Sequence, residues 1–243
     1  MHSMLAIMKS PIAKGMLALC ATLALPSFAH ADDMPAPYHD MKNNVVYNIM
    51  FCDHESLVKP TDATSATPWQ KTLFTAKPDP VAVRAVADDA KQGSCVRLMA
   101  DKWLREHGQL VPSKQLLGVV IEVPVDEGLD TLAAYADGHV RFISHADKLT
   151  VIDAPSPEMQ AMEKDLFAAS SKLLAGIGVW NKPRLPVPIK GKVRMSFLAS
   201  DGLYFGEGSF AAIQGNADAA QVIKNGTVLL KQVTQTPTQE AAH

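Results

Sequence analysis

The stretch LGVVIEVPVDEGLDTLAAYADGHVRFISHADKLTVID, residues 117–153, decides the fold. It is rich in β-branched and aromatic residues, and Gly, Asp and other turn-forming residues divide it into short runs, a pattern typical of consecutive strands. These runs predict four strands, over residues 117–125, 129–136, 139–144 and 148–153. The centre of the chain is therefore expected to form a sheet.

The dipeptide Asp137-Gly138 is the strongest local signal in this stretch, because Asp-Gly tolerates the positive φ angles of a two-residue hairpin turn. A turn of that length pairs Tyr135 with Val140 and gives the hairpin one apolar face. Parity along the strand places four side chains on the other face, which we expect to be solvated: His139, Arg141, Ile143 and His145.

The segment before this centre is predicted to hold one strand and two helices. Residues 45–52 form a β-rich run and are predicted to be a strand. Residues 53–78 carry prolines among small polar residues and are predicted to be mostly loop. Asp79-Pro80 is a favourable helix start, and a break at Gly93 leaves two short helices over residues 80–107.

The segment after the centre is predicted to alternate between helix and hairpin. Ser156-Pro157 opens a helix whose apolar residues recur at helical spacing. An extended, proline-bearing connector over residues 180–188 leads to a second hairpin around Asp201-Gly202. Asn216 caps a last helix, which we expect Asn225-Gly226 to interrupt.

This order of elements predicts an α+β fold, an antiparallel β-sheet built from hairpins with helices packed against it. Small profilin-like and roadblock-like domains have a similar element order, a resemblance of fold that implies no function. The two Asp-Gly hairpins also resemble each other, and either a duplicated unit or two independent turns accounts for that likeness.

The first 31 residues are typical of a signal peptide. Lys9 and Lys14 precede an apolar run over residues 15–25, and Ala29-His30-Ala31 supplies the small-x-small pattern that a signal peptidase cleaves. We therefore predict cleavage after Ala31 and a periplasmic or secreted location.

Two alternatives to cleavage, a membrane anchor and a lipid anchor, fit the sequence less well. The apolar run is too short for a spanning anchor, since Pro26 ends it. Lipid attachment at Cys20 is disfavoured because the preceding residues, Leu17-Ala18-Leu19, put a bulky Leu where such sites usually have a small residue. The remaining chain is predicted to comprise a loose lead-in (residues 32–44), a single α+β domain (45–235) and a frayed tail (236–243).

Charge and cysteine content limit the classes of partner that the sequence favours and indicate the cellular compartment. The chain has a formal charge of −2, and loss of Lys9 and Lys14 lowers it to −4, so nothing favours nucleic acid. No second long apolar stretch predicts a transmembrane span. Cys52 and Cys95 remain after cleavage, and an even pair in an exported chain favours a disulfide over two buried thiols.

The best candidate ligand-binding surface is centred on Arg141, with His139 and His145 at the ends of the same strand. A guanidinium beside imidazoles suits an anionic ligand. The two histidines are about 20 Å apart along the strand, so one metal ion is not expected to bind both. The alternative is the ordinary solvated face of an antiparallel sheet.

A second candidate is the cluster Asp53-His54-Glu55, which holds the side chains of a general acid, a base or a metal ligand. No second Cys/His pair stands at zinc-site spacing, so no metal is predicted. The alternative is a polar loop, and no catalytic residue is assigned.

The run Leu129–Gly138, followed by Arg141, resembles an uncharacterised family of exported bacterial proteins with an LD-x-LA-x-YADG-x-x-R core. Phe51-Cys52-Asp53, Pro68-Trp69 and residues 201–206 resemble further landmarks of that family. The resemblance spans roughly residues 45–210 and implies no activity, cofactor or catalytic residue.

We expect an exported binding or accessory protein whose partner is a small anionic molecule or an envelope protein. One alternative is a metal-assisted hydrolase that uses Asp53, His54 and Glu55. Another is a structural partner in an envelope complex, held through the proline-bearing connector.

Overall fold

The computed structural model describes residues 34–62 and 64–236, which lie within one compact unit. The predicted signal peptide, its cleavage after Ala31 and residues 237–243 of the predicted tail lie outside these residues. The helices described are α1 (Met41–Ile49), α2 (Pro68–Leu73), α3 (Pro80–Asp88), α4 (Ser94–Glu106), α5 (Pro157–Ala175), α6 (Phe210–Gln214) and α7 (Ala217–Gln235). The strands are β1 (Leu116–Val125), β2 (Gly128–Tyr135), β3 (Val140–Ile143), β4 (Leu149–Ile152), β5 (Lys192–Ala199) and β6 (Gly202–Ser209).

The six strands form one sheet in the order β4-β3-β2-β1-β5-β6, and every neighbouring pair is antiparallel. Helices pack on both sides of the sheet. The α+β prediction is therefore confirmed, and the central strands lie within a residue or two of their predicted positions. The likeness to profilin-like and roadblock-like domains stays a prediction.

One side of the sheet, which we call the α5/α7 face, is covered by α5 and α7 and is apolar. Val119, Phe142 and Phe197 on the strands pack with Leu166 of α5 and Leu229 of α7, all buried. Because an amphipathic helix buries its apolar stripe against a sheet, the helical spacing in the sequence is sufficient to predict this layer.

Helix α7 runs unbroken through Asn225-Gly226, so the predicted interruption is wrong. A Cβ atom at Gly226 would stand 2.5 Å from Ile121 Cδ1 on β1. The glycine therefore lets the helix lie close to the sheet, and a packing requirement outweighs its low helix propensity.

The opposite side, which we call the α1 face, is covered by α1, by α4 and by the segment before α1. Residues 45–52 were predicted to be a strand, and this prediction is wrong, since most of them lie in α1. The Asp40 side chain caps α1 by accepting from Lys42 N, and burial of Tyr47 and Met50 holds the helix against the sheet. Tertiary packing thus overrides local β propensity. The buried Tyr38 also belongs to this layer.

The central hairpin turns through three residues rather than two, so the predicted register is off by one. Ala134 pairs with Val140, and Gly138 adopts a φ of +90° at the end of the loop. A slip of one residue moves a side chain to the other face. Tyr135 consequently lies on the α1 face, in the same layer as Ile143, which is fully buried rather than solvated.

Within residues 34–62 and 64–236, no helix is long and apolar enough to cross a membrane.

Candidate functional site

A concave site of about 670 Å³ lies beside the Cys52–Cys95 disulfide, and we call it the disulfide cleft. Helix α4 forms one wall, and the connector before β5 forms another. The turn between β5 and β6, at Asp201-Gly202, closes one end. Its volume lies in the range of small-molecule sites.

The disulfide predicted from cysteine count and compartment is present in the structure. It joins Cys52, three residues after the end of α1, to Cys95 in the first turn of α4, with the two Cα atoms 5.0 Å apart. Cys52 has a φ of +54°, so the chain turns sharply there before Asp53. The bridge therefore ties together two elements that border the cleft.

Arg184 is the most firmly held cation of the cleft, since its side chain is only 9% exposed. Its Nε donates to Asp53 Oδ2 at 2.6 Å, and its Nη2 donates to Asn48 Oδ1 at 2.8 Å. The guanidinium carbon also lies 4.1 Å from the ring centre of Phe51. A guanidinium has five N–H donors, so these contacts fix its plane and leave donors for a further partner.

The wall formed by α4 supplies two more cations. Lys102 Nζ lies 2.8 Å from Glu55 and 3.1 Å from Glu106. Burial alone would lower the pKa of Lys102, but these two carboxylates outweigh it and raise the pKa. Arg105 donates to the carbonyl oxygen of Ser200, and burial lowers its pKa. Both side chains are thus anchored by protein groups.

The mouth of the cleft carries an aromatic ring and an exposed cation. Trp180 donates from its backbone N to the carbonyl of Leu203 at 2.7 Å, and its ring packs edge-on against Phe205. Lys182 Nζ lies 5.4 Å from the centre of the Trp180 ring. Among the described residues, no carboxylate lies within 4.0 Å of the Lys182 ammonium.

Two carboxylates of the cleft each have one oxygen without a hydrogen-bond partner among the described residues. Asp201 accepts from Ser113 and Tyr204 through Oδ2, and its Oδ1 is buried and unpaired. Asp53 Oδ1 is likewise buried without a hydrogen-bond partner, and it lies 3.7 Å from His54 Nε2. The lining as a whole carries four cationic side chains (Lys102, Arg105, Lys182 and Arg184) and three carboxylates (Asp53, Glu106 and Asp201).

The residues of the predicted Arg141 surface do not line this cleft. Arg141 stacks over the Tyr135 ring at 5.6 Å, and His139 Nδ1 lies 3.0 Å from Asp137. His145 pairs with Asp130 at 2.9 Å, at the other end of β3. The structure therefore places the three side chains in separate local contacts, and their joint role stays a prediction.

The predicted Asp53-His54-Glu55 cluster is divided between different partners. Asp53 lines the cleft and pairs with Arg184, whereas Glu55 pairs with Lys102. Burial lowers the pKa of His54, which favours a neutral imidazole. Among the described residues, no group of three or more His, Cys, Asp or Glu side chains is arranged to hold a metal ion.

Sequence reasoning missed the cleft residues of the connector. Trp180, Lys182 and Arg184 stand among prolines, in a segment predicted only as an extended linker. The available signal was the alternation of an aromatic residue with cationic residues in a segment rigid enough to hold them. Their placement beside Asp53 depends on contacts across 131 residues of sequence, which no local pattern predicts.

No family model matches this chain, and neither does a curated protein or a solved structure.

Proposed function

We propose that this chain is an exported binding protein and that it holds a small organic anion in the disulfide cleft. The observation that supports this most directly is Arg184, a guanidinium only 9% exposed and fixed in one plane at the wall of the cleft, with the exposed Lys182 near it along the connector. Guanidinium and ammonium groups are the usual protein partners of carboxylate and phosphate groups.

The remaining lining favours an anion with an apolar or planar body. Phe51, Leu198 and Leu203 present apolar surface, and the Trp180 ring stands at the mouth. Small-molecule sites combine apolar surface with placed polar groups, and this cleft offers apolar side chains beside its charged ones. Because Arg184 is already held by Asp53 and Asn48, little side-chain ordering remains to oppose binding.

The test uses benzoate and phenyl phosphate as probes and inorganic phosphate as a small anion without an apolar body. We expect both aromatic anions to raise the melting temperature and to change the fluorescence of Trp180, and inorganic phosphate to do so less. Lys182→Ala is expected to weaken binding roughly threefold to tenfold, the range for one charge-assisted contact at an exposed site. Lys190→Ala is the matched control, because Lys190 is exposed and lies outside the lining.

Trp180→Phe separates the fluorescence signal from that of Trp69 and Trp103. Equal binding by wild type, Lys182→Ala and Trp180→Phe would contradict the cleft as the site. A native mass spectrum of protein purified without reductant gives an independent test, since an anion bound tightly enough to be retained appears as mass lost on unfolding.

The hydrolase alternative has one supporting contact, the approach of His54 Nε2 to Asp53 Oδ1 at 3.7 Å. A neutral imidazole beside a carboxylate is the usual arrangement of a general base. Turnover of p-nitrophenyl esters that disappears in His54→Ala, while the aromatic anions still bind, would favour this alternative over simple binding.

A further inference from the structure

A second concavity shares no lining residue with the disulfide cleft. It has a volume of about 450 Å³ and is enclosed by the β2–β3 turn and by helix α5. We call it the Glu163 pocket. Its remaining lining is partly apolar, with Tyr135 and Pro155 on one side and Phe167 on the other.

The distinctive group of this pocket is the carboxyl of Glu163, whose residue is only 6% exposed. Its Oε1 is buried without a hydrogen-bond partner among the described residues, and no cation there lies within 4.0 Å of it. Leaving a buried carboxylate unpaired is costly, so natural proteins normally supply a partner or keep the group protonated. Burial and the nearby charge of Asp137 raise the pKa of Glu163 to about 7.

The neighbouring carboxyl, Asp137, is satisfied by protein groups. Asp137 Oδ2 accepts from Ser94 N at 2.6 Å, while Oδ1 accepts from His139 N and lies 3.0 Å from His139 Nδ1. These contacts fix the turn on which it stands. Asp137 thus contributes negative potential to the pocket while remaining held by the protein.

The backbone of the turn approaches Glu163 closely. A Cβ atom at Gly138 would stand 3.3 Å from Pro155 Cγ and 3.8 Å from Glu163 Oε2. The charged and titratable groups that face Glu163 across the pocket are Asp137 and Tyr135 of the hairpin and Lys164 of its own helix. Lys164 is exposed, so its ammonium is free to stay in solvent.

We propose that the Glu163 pocket binds a primary ammonium group carried on a short apolar or aromatic body. The ammonium would donate to the unpaired Glu163 carboxylate, and the body would lie between Phe167 and Pro155. A cation beside two carboxylates and an aromatic ring is favoured by charge and by the quadrupole of the ring. This site carries the opposite charge preference to the disulfide cleft and does not depend on a ligand there.

The probes are benzylamine and n-butylamine, with benzyl alcohol as the neutral counterpart of benzylamine. Binding is measured by titration calorimetry and by shifts of backbone amide signals at Gly138. We expect both amines to bind at pH 8, and benzyl alcohol to bind at least tenfold more weakly, since only the charged donor pairs with the carboxylate.

The pH profile gives a readout that a purely structural role of Glu163 would not produce. Binding of the amine requires ionised Glu163, so affinity should fall about tenfold per pH unit below the pKa of about 7. Affinity should stay constant above that pKa until the amine itself loses its proton near pH ~10. Below pH 7 the binding reaction should also release a proton.

Glu163→Gln keeps the shape of the side chain and removes its charge, and we expect it to weaken amine binding at least tenfold and to abolish the pH profile. Glu158→Gln is the matched control, because Glu158 is exposed on the first turn of the same helix. Gln160→Trp is a second variant, at an exposed position on the rim, which fills the pocket while leaving Glu163 intact.

The proposal holds if both Glu163→Gln and Gln160→Trp lose the amine while Glu158→Gln retains it. It is overturned if neither amine binds the wild-type protein at pH 8 at amine concentrations up to ~10 mM, because the dissociation constant would then exceed the millimolar range of weak ligands. Amine binding that survives in both variants would equally overturn it, since the site would then lie elsewhere.

Discussion

The two faces of the sheet bury different kinds of side chain. The α5/α7 face is filled by aliphatic and aromatic side chains, with Leu166 and Leu229 fully buried. The α1 face also excludes water, but it buries polar contacts: Tyr38 donates to Thr131 at 2.7 Å, and Tyr47 donates to Glu122 at 2.7 Å. The apolar face therefore depends on packing volume, whereas the α1 face depends on each polar group finding its partner.

This difference also relates to the location of the disulfide cleft. Arg184, at its wall, reaches Asp53 and Asn48, which belong to the layer that covers the α1 face. The same layer holds the disulfide. A layer that already contains paired charges provides fixed cations at its edge, which an aliphatic layer does not.

The largest expected effect on stability comes from removing a cation from the buried ion contacts of the α1 face. Arg194 donates to Glu207 at 2.6 Å and lies 3.8 Å from the fully buried Glu122. Arg194→Met leaves Glu122 without its cation, so we expect a loss of about 3–5 kcal/mol in the free energy of unfolding, measured with urea at pH 8.

The matched control is Glu122→Gln combined with Arg194→Met. This double variant should be more stable than Arg194→Met alone, because no uncompensated charge stays buried. Equal stability of the single and double variants would mean that Glu122 does not need the guanidinium.

Loss of the disulfide should have the next largest effect, because the disulfide joins the end of the α1 segment to α4 within the cover of the α1 face. Replacing Cys52 and Cys95 together by Ser is expected to lower the free energy of unfolding by about 2–4 kcal/mol. Reductant should destabilise wild type by a similar amount and leave the Ser variant unchanged, as followed by thermal unfolding. Benzoate binding should weaken as well, since the cleft loses the tie between two of its elements.

Glu163 is a buried carboxyl on the apolar side, and it stands on α5 without a hydrogen-bond partner for its Oε1 among the described residues. Its pKa of about 7 lies above the ordinary value of 4.5, so the folded state binds the proton more tightly than the unfolded state. Its contribution to stability is therefore greatest below pH 4.5 and is lost as pH rises towards 7, by about 1–3 kcal/mol.

Glu163→Gln should abolish that loss, so the difference between variant and wild type grows from pH 5 to pH 8 in favour of the variant. Glu158→Gln should follow wild type at every pH, as measured by urea unfolding across the range. A flat wild-type profile would mean that Glu163 has an ordinary pKa.

The smallest effect concerns the close contact of α7 with β1. Gly226→Ala gains roughly 1 kcal/mol of helix propensity but forces a Cβ against Ile121 Cδ1, which costs about 1–3 kcal/mol. We expect a net loss of about 1 kcal/mol in thermal unfolding, and a net gain when Ile121→Val has removed the opposing methyl group. If Gly226→Ala still destabilises the protein when Ile121 is replaced by Val, the close contact with Ile121 is not the reason for the glycine.

The sequence was most informative where one local pattern has one physical solution. The alternating runs of β1 to β4 and the caps at Ser156 and Asn216 were found at or near their predicted positions. The strand predicted over residues 45–52 failed because β-branched residues such as Val45 and Val46 also fit a helix when tertiary burial favours it.

The sequence predicted less of the candidate site than of the fold. Asp53 was named, but in a cluster with His54 and Glu55 that the structure divides between Arg184 and Lys102. The polar strand face around Arg141 was expected to be solvated, whereas α1 and the segment before it cover much of that face. Buried polar pairs and solvated polar residues have the same sequence pattern, so alternation alone does not distinguish them.

The sequence by itself determined the α+β class, the antiparallel hairpins and the apolar layer of α5 and α7, because each depends on periodicity and caps within a few residues. It also identified the two cysteines that pair in the structure. Only the tertiary structure decided that the second layer is helical and that Arg184 meets Asp53. It also decided that Glu163 is buried without a hydrogen-bond partner for its Oε1 among the described residues. Those outcomes depend on contacts between distant segments, whose energies exceed local propensities and leave no local pattern in the chain.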